Sequence, residues 1–308
     1  MFSLYPFTQK LRKSKIGTTV SGIGPTYADR TERVGLRVKD LIGHNFKDKL
    51  YEEVKIQNKF FNLKLKAGQI YQKYQKFAKQ VKPLVSQTIP IVKKFQKEKK
   101  NILFEGAQGF FLDIDSGTYP FVTSSNPGVV GIWRSFVIHP SEIDRVIGIT
   151  KSYITRVGEG PLPSEVNGKV RRHLIEKGYE YGTTTGRERR PGWLDLVLLK
   201  AARDDNKLTS LALTKLDVLS GLSEIKVCVA YKKADRVVEY QSGDADYLAG
   251  CQPVYNSLPG WSEDISNIRG FQKLPKNAQK FVEFIESEVK MPVKFISVGP
   301  ERGQVIYV

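Results

Sequence analysis

The segment Phe104–Asn126, FEGAQGFFLDIDSGTYPFVTSSN, combines residue types that bind polar ligands. A short apolar run leads into a glycine-containing loop, and acids, a glutamine and several hydroxyl side chains follow within a few residues. Core packing does not require that mixture, whereas a pocket that forms hydrogen bonds to a polar ligand does. The segment therefore predicts one wall of a ligand pocket.

A second segment, Gly182–Trp193, has the composition of an anion-binding loop. Three threonines precede a glycine, and arginines at 187, 189 and 190 follow. Guanidinium groups grip a carboxylate or a phosphate with two parallel hydrogen bonds, and threonine hydroxyls complete the cradle. The alternative is a surface loop with scattered ion pairs, but the threonine run favours a binding loop.

Thr214–Asp217, TKLD, has the residues of a guanine-reading element. A carboxylate there accepts from both N1–H and the 2-amino group of guanine, and the stem of Lys215 covers the ring. Lys-x-Asp is weak evidence by itself, because ion pairs are common at strand ends. Ser297–Pro300 follows another apolar run and either adds backbone contacts to a base or forms an ordinary turn.

Near the N-terminus, Ile16–Pro25 is rich in glycine and threonine and suits a phosphate, and Arg33 and Arg37 follow it. These two arginines fit a binding role and a plain surface role equally well. The histidines have no metal-ligand spacing and no nucleophile beside them, so we assign them no role, and the two cysteines, far apart and without metal-like spacing, are predicted to be reduced structural thiols. They are His44, His139, His173, Cys228 and Cys251.

The net charge of +17 favours anionic ligands. Its lysines are spread over helical segments such as Lys93–Lys100, which is typical of a solvated surface. No zinc-finger, RNP or arginine-rich signature accompanies them, so nucleic-acid binding is a minor alternative. No apolar run is long enough to span a bilayer, and we expect a cytoplasmic protein without a membrane or nucleic-acid partner.

The elements that must position these residues are helices followed by alternating strands and helices. Periodicity predicts helices over 49–65, 70–81 and 84–99, the last interrupted near Pro90, and later over 193–204 and from Pro275 onward. Strands are predicted over 102–104, 146–154, 210–214 and 293–296. This order predicts an α/β fold with a largely parallel central sheet and flanking helices, in one domain over 1–308. Each strand is followed by a polar, glycine-containing or charged loop, which predicts one composite site along the carboxyl ends of the strands.

Taken together, these segments resemble the adenylosuccinate synthetase family, whose members join IMP and aspartate using GTP. The resemblance runs from about Ile16 to Val308. It rests on the ordered blocks IGTT, GIGP, RVGLRVKDL, FEGAQG, LDID, GTYPFVTSSN, TRVGEGP, TTTGR, RPGWLD, LTKLDVL, VCVAYK, PGW and ISVGP.

The resemblance implies a role for individual residues. The IMP site would contain Thr19, Gln108, Thr123 and Arg187, together with Arg33, which would reach the IMP phosphate of a neighbouring subunit and thus require a homodimer. The aspartate site would contain Thr183, Thr184, Thr185, Arg187 and Arg189. The GTP site would contain Arg189, Lys215, Asp217, Ser297 and Gly299. The implied reaction phosphorylates O6 of IMP with GTP, and the aspartate amine then displaces that phosphate with the help of Mg²⁺.

The sequence departs from the family pattern at several places. Val20, Glu188, Pro127 and Trp133 stand where the family usually has other residues. The phosphate loop Gly-Asp-Glu-Gly-Lys-Gly-Lys and the Gly-His-Asn-Ala-Gly-His-Thr segment, which hold the family's catalytic base, magnesium ligand and catalytic histidine, do not occur in these 308 residues. We therefore predict no catalytic residue and no metal ligand within the chain, and we expect the first strands of the sheet to be missing.

Three hypotheses follow. The chain is one part of a split enzyme that needs a separate N-terminal fragment, or the product of a truncated gene, or a non-catalytic protein that keeps the GTP and IMP surfaces for regulation.

Overall fold

The computed structural model describes residues 21–183, 186–240 and 243–308. The chain divides into two compact units, and the described residues 21–104 belong to the first and Glu105–Val308 to the second. This division into two compact units does not test the prediction of a single domain, which stays a prediction. No helix in the described ranges is long and apolar enough to cross a membrane.

The first unit is helical. Its α-helices are α1 (Ile23–Glu32), α2 (Val38–Leu41), α3 (Phe46–Phe61), α4 (Ala67–Val81) and α5 (Thr88–Lys97), with a 3₁₀ turn at Lys82–Leu84. Phe46, Leu50 and Val54 lie one turn apart on α3 and form its core against the apolar side of α4. The helices predicted over 49–65 and 70–81 are confirmed, with ends shifted by a few residues, because amphipathic periodicity is a local signal. The helix predicted over 84–99 begins only at Thr88 and is not interrupted at Pro90, which lies in its first turn.

The second unit contains the strands. Its α-helices are α6 (Val130–Phe136), α7 (Gly168–Gly178), α8 (Leu196–Asn206), α9 (Ala245–Ala249) and α10 (Lys276–Val289). Its strands are β1 (Ile147–Lys151), β2 (Tyr153–Arg156), β3 (Arg190–Asp195), β4 (Ser210–Thr214), β5 (Leu222–Lys233), β6 (Arg236–Val238), β7 (Gln252–Trp261), β8 (Val293–Ser297) and β9 (Val305–Tyr307). Short 3₁₀ turns lie at Phe110–Leu112, Pro140–Glu142, Leu216–Leu219 and Phe271–Lys273.

A four-stranded sheet in the order β1-β4-β8-β9 carries the predicted architecture. β4 pairs in parallel with both β1 and β8, and only β9 is antiparallel. Leu211, Leu213 and Ile296 are fully buried in it. Pro275 caps α10 as predicted, and its apolar stripe is buried, so the α/β class with a largely parallel sheet is confirmed.

A second sheet was not predicted. It has the order β2-β3-β5-β6, with β7 also paired to β5, and most of its pairs are antiparallel. β5 and β7 pair along most of their length although a helix and a further strand separate them in sequence. Such long-range pairing leaves no local pattern to recognise.

Three predicted elements require correction. Residues 102–104 form no strand, and Leu103 is 87% exposed, because no neighbouring strand in the described chain pairs with them. The helix predicted over 193–204 begins only at Leu196, since Trp193 and Asp195 belong to β3. The strand predicted over 146–154 is two strands in different sheets, divided at Ser152, whose N–H and Oγ both donate to the carbonyl oxygen of Thr214 at 2.8 and 3.1 Å.

Candidate functional site

The carboxyl ends of β1, β4 and β8 lie side by side at one edge of the first sheet. Because β1, β4 and β8 are parallel neighbours, Lys151, Lys215 and Ser297 come to the same rim. Of the four strand ends predicted to share one rim, the ends after Thr214 and after Ile296 therefore do so. The other two differ, because 102–104 is not a strand and β2 belongs to the second sheet.

A buried carboxylate, Glu180, is the centre of a hydrogen-bonded cluster at this rim. Lys151 Nζ donates to its two oxygens at 2.8 and 2.9 Å. Lys215 Nζ donates to Oε1 at 2.9 Å, and Arg189 Nη1 donates to Oε2 at 2.7 Å. The hydroxyl of Tyr153 also donates to Oε1. We call these five residues the Glu180 cluster.

The electrostatics of the Glu180 cluster follow from its burial. Burial by itself raises the pKa of the Glu180 carboxyl, but the hydrogen bonds from Lys151, Tyr153 and Lys215 outweigh it and bring the pKa down to about 2. Burial lowers the pKa of Lys151 to about 8, although Glu180 opposes that change. Three cations share one carboxylate, so the cluster keeps an excess of positive charge that attracts anionic ligands.

Asp217 lies in the 3₁₀ turn that follows β4. Its Oδ1 is buried and accepts no hydrogen bond from any of the described residues. Burial raises the pKa of Asp217, and the charge of Lys215 partly opposes this. A pocket of about 220 Å³ adjoins the carboxylate and is also lined by Lys177, Ser262 and Asp264. An unpaired buried oxygen beside a pocket is what a ligand that donates hydrogen bonds would satisfy.

The turn after β8 is held in shape by its own hydrogen bonds. Ser297 Oγ donates to the carbonyl oxygen of Gly299 at 2.9 Å. A Cβ on Gly299 would meet the side-chain amide of Gln304 at 2.3 Å, so the position accepts only glycine without a shift of Gln304. Gln304 in turn donates to the carbonyl oxygen of Ser266, a residue that lines the pocket beside Asp217. This turn is therefore attached to the wall of the Asp217 pocket.

The arginine-containing loop is tied to the Glu180 cluster at its base. The N–H of Arg189 donates to the carbonyl oxygen of Glu180 at 2.8 Å, and Tyr181 forms an isolated bridge with Glu188. Thr183 and Arg187 are exposed, whereas Thr184 and Thr185 lie outside the described residues. Glu188, one of the departures from the family pattern, forms an ion pair with Arg171. Arg190 holds Glu165 and the carbonyl oxygens of Gly158 and Gly160, and is thereby structural.

The segment 105–126 is folded around Asp113, whose Oδ1 accepts from the N–H groups of Asp115 and Ser116 and from Asn126. A Cβ on Gly117 would lie 2.4 Å from the carbonyl oxygen of Phe111, so this tight turn requires glycine. Asp113 therefore serves the fold of the segment, while other side chains remain for a ligand.

Two residues of the predicted IMP site lie in this segment. Gln108 is exposed on a left-handed backbone with φ 66°, and Thr123 is half-buried, its N–H bonded to the carbonyl oxygen of Leu112 at 2.8 Å. Arg156 donates to Thr118 Oγ1 and to the carbonyl oxygen of Phe121, which fastens the segment to the end of β2.

Two further residues of the predicted IMP site, Arg33 and Thr19, do not belong to the described part of the second unit. Arg33 lies in the first unit, exposed, at the C-terminal end of α1 with a left-handed backbone of φ 70°. Thr19 lies outside the described residues. The structure thus joins Arg189 to Lys215 through Glu180 and sets Asp217 beside Lys215.

Sequence reasoning missed Lys151, Tyr153 and Glu180. Lys151 and Tyr153 lie in the strand predicted over 146–154, and Glu180 precedes the arginine-containing loop. The signal in the sequence was that Glu180 is an acid two residues before Gly182, the first glycine of that loop. Burial of an acid and its pairing with distant cations cannot be read from one sequence. In the described ranges, no group of three or more His, Cys, Asp or Glu is placed to hold a metal ion.

Comparisons with known proteins agree on one family. Residues 6–306 match the sequence model of the adenylosuccinate synthetase family. The adenylosuccinate synthetase of Halothermothrix orenii is 49% identical over 301 residues, which is 95% of this chain and 70% of that protein. That of Gloeobacter violaceus is 46% identical over 302 residues, which is 96% of this chain and 69% of that protein. A solved structure described as fully ligated adenylosuccinate synthetase from Plasmodium falciparum superposes with a TM-score of 0.94 at 38% identity, and the match covers 98% of this chain and 73% of that one.

Proposed function

This chain belongs to the adenylosuccinate synthetase family, and we propose that its strand-end rim binds the substrates of a carbon–nitrogen ligase. The reaction joins IMP and L-aspartate to adenylosuccinate at the expense of GTP, with release of GDP and phosphate, a step of purine biosynthesis. One observation supports the guanine end above all others. It is the buried Oδ1 of Asp217, which accepts no hydrogen bond from the described residues and lies beside a pocket.

Guanine is the purine that this carboxylate suits. Its N1–H and 2-amino group donate side by side, whereas adenine has an unprotonated N1 and no 2-amino group. An adenine ring would leave Asp217 buried without a partner, and that costs about 1–3 kcal/mol. Lys215 Nζ is held by Glu180, which leaves the methylene stem of Lys215 to cover the ring. The turn at Ser297 and Gly299 supplies backbone groups from the neighbouring strand end.

The anionic parts of the substrates are assigned to the arginines. Arg189 is hydrogen-bonded to Glu180, and its guanidinium would also bind a phosphate of GTP or the carboxylate of aspartate. Arg187 would serve both aspartate and IMP, with Thr183, Thr184 and Thr185 donating to aspartate. Gln108 and Thr123 would contact IMP from the segment 105–126, together with Thr19.

The chain's own contribution to the reaction is to bind, orient and balance charge. The excess positive charge of the Glu180 cluster stabilises negative charge on a bound nucleotide. Mg²⁺ would supply further stabilisation of phosphate charge, but the described residues include no group of three or more His, Cys, Asp or Glu placed to hold a metal ion.

Two further features of the enzyme stay proposals. We propose a homodimer in which Arg33 of one copy reaches the IMP phosphate bound by the other, and sedimentation velocity would measure the assembly. A cytoplasmic location is likewise our expectation.

Replacement of Asp217 tests the guanine assignment. We expect D217N to weaken GDP binding by about 10- to 100-fold in calorimetry, because the amide cannot accept both guanine donors. Xanthosine diphosphate, whose C2 carbonyl can accept from the new amide, should gain affinity relative to GDP. The control is D204N, which alters a surface ion pair with Arg203. Equal binding of GDP, IDP and ADP by the unmodified protein would overturn the assignment.

Turnover separates the ligase from the non-catalytic alternative. The purified chain is incubated with IMP, GTP, L-aspartate and Mg²⁺, and adenylosuccinate is quantified by chromatography, with omission of each substrate as a control. Product that depends on all three substrates supports the ligase. Saturable GDP and IMP binding without product, also after addition of a fragment that carries the family's phosphate loop, would favour a regulatory nucleotide-binding protein.

A further inference from the structure

We propose that Glu180 is a positioning residue that couples the guanine site at Lys215 to the anion site at Arg189. The inference rests on the proposed function, since it concerns the same GTP and aspartate sites. Nothing in the family resemblance assigned Glu180 a role. Its effect would be transmitted by the side chains that it holds.

The geometry joins the two sites through a single carboxylate. Oε1 of Glu180 accepts from Lys215 Nζ at 2.9 Å, and Oε2 accepts from Arg189 Nη1 at 2.7 Å. Lys215 is also held by the carbonyl oxygen of Gly178, two residues before Glu180. The backbone carbonyl of Glu180 binds the N–H of Arg189 at 2.8 Å. Moving either cation therefore disturbs the hydrogen bonds of the other.

Burial makes this connection stiff. The Glu180 side chain is 0% exposed, while those of Lys215 and Arg189 are 32% and 25% exposed. The carboxylate thus lies under its cations, and their outer sides face solvent and any ligand. A buried carboxylate that loses one partner is costly, so the cations are held in place rather than free to exchange with water.

Lys151 and Tyr153 fix the carboxylate itself. Lys151, at the end of β1, reaches both oxygens and is further bonded to Thr155 Oγ1 at 2.6 Å. Tyr153, fully buried at the start of β2, donates to Oε1. Residues of both sheets therefore hold the Glu180 carboxylate in place. A ligand that shifts Arg189 would then change the hydrogen bond between Glu180 and Lys215.

The consequence is reciprocal coupling between the two sites. A ligand carboxylate or phosphate at Arg189 competes with Glu180 for that guanidinium, and Glu180 then interacts more strongly with Lys215. Binding at one site changes affinity at the other, and linkage requires the same factor in both directions. A purely structural ion pair would change stability without changing that factor.

The test compares GDP affinity with and without saturating IMP and L-aspartate, by calorimetry. In the unmodified protein we expect the two affinities to differ by about 5- to 20-fold, and in E180Q the ratio should approach one. The matched control is E288Q, which removes the carboxylate of a half-exposed ion pair with Lys200 and should keep the ratio. If E180Q does not fold, K151M replaces it, because Lys151 holds Glu180 but belongs to no predicted substrate site.

The outcomes are distinct. An unmodified protein that binds no GDP would refute the proposed function. One that binds GDP with the same affinity in both conditions would overturn the coupling alone, as would an E180Q protein that is folded and keeps the original ratio. A ratio that collapses in E180Q and survives in E288Q supports the proposal.

Discussion

At the scale of single residues, the Glu180 cluster shows how burial and charge act against each other. The same carboxylate that burial would neutralise is kept ionised by Lys151, Tyr153 and Lys215. For Lys151 the outcome is the opposite, because its charged form is destabilised. Burial and the like charges of Lys215 and Arg189 lower the pKa of Lys151 to about 8. A lysine with a pKa of about 8 changes its charge in the weakly alkaline range.

This pKa predicts a pH dependence of nucleotide binding. As pH rises through about 8, Lys151 loses its proton, the cluster loses one positive charge, and GDP affinity should fall by about 3- to 10-fold. The charged or titratable groups that face it are Glu180, Tyr153, Lys215 and Arg189. K151M should bind GDP more weakly at pH 7 and lose this step. Calorimetry from pH 6.5 to 9 measures it, and a profile for K151M that matches the unmodified protein would contradict the prediction.

At the scale of elements, Asp195 joins a strand, a helix and a second strand. It ends β3 and caps α8, accepting from the N–H groups of Val197 and Leu198 at 3.1 and 3.2 Å. Its other oxygen accepts from the hydroxyl of Tyr231 on β5 at 2.6 Å. Asp195 therefore ends the strand, starts the helix and holds the helix to the second sheet.

Replacement of Asp195 separates capping from charge. D195A should lower the free energy of unfolding by about 2–4 kcal/mol, since a helix cap is lost and the hydroxyl of Tyr231 is left buried without a partner. D195N should cost less than D195A, because the Oδ1 of asparagine still caps α8. Its amide nitrogen, which cannot accept, can donate to the hydroxyl oxygen of Tyr231. Urea unfolding at pH 7 gives both values, and equal losses would show that charge, not capping, matters.

The asparagine variant also tests how the free energy of unfolding depends on pH. Burial raises the pKa of Asp195 from 3.8 to about 6, although its hydrogen bond with Tyr231 opposes this. Between these values the folded state binds more protons than the unfolded state, so this carboxyl lowers stability as pH rises from 3.8 to about 6. That contribution should be absent from D195N.

At the scale of the whole molecule, two units carry separate cores. Leu50 is 3% exposed among the helices of residues 21–104, and Ile285 is fully buried in α10 of the second unit. Because the two side chains belong to the cores of different compact units, we expect them to stabilise different parts of the chain.

Hydrogen exchange on core variants checks this division. L50A should reduce amide protection within 21–104 and leave α10 unchanged. I285A should reduce protection throughout 105–308 and cost that unit about 2–5 kcal/mol. K280A, at an exposed position of α10, is the control. Loss of protection along the whole chain in either core variant would instead support the single domain predicted from the sequence.

The sequence by itself determined the features that short stretches encode. Periodicity in 67–81 and 276–289 places apolar side chains on one helical face, and the apolar run Ser210–Thr214 forms a strand as predicted. Residue types and spacing predicted guanine and anion binding at the rim, from Lys215, Asp217 and the arginines at 187 and 189. They could do so because hydrogen-bonding capacity belongs to the residue itself.

Only the tertiary structure decided which of these residues meet. Residues 102–104 have strand-forming side chains but form no strand, because backbone pairing needs a partner that the local sequence does not specify. Glu180 reads as one acid among many until the fold surrounds it with three cations and a tyrosine. Lys151 ends β1, Tyr153 starts β2, Arg189 precedes β3 and Lys215 follows β4. Burial and long-range contact are properties of the folded chain, and they turn an ordinary glutamate into the residue that holds both Lys215 and Arg189.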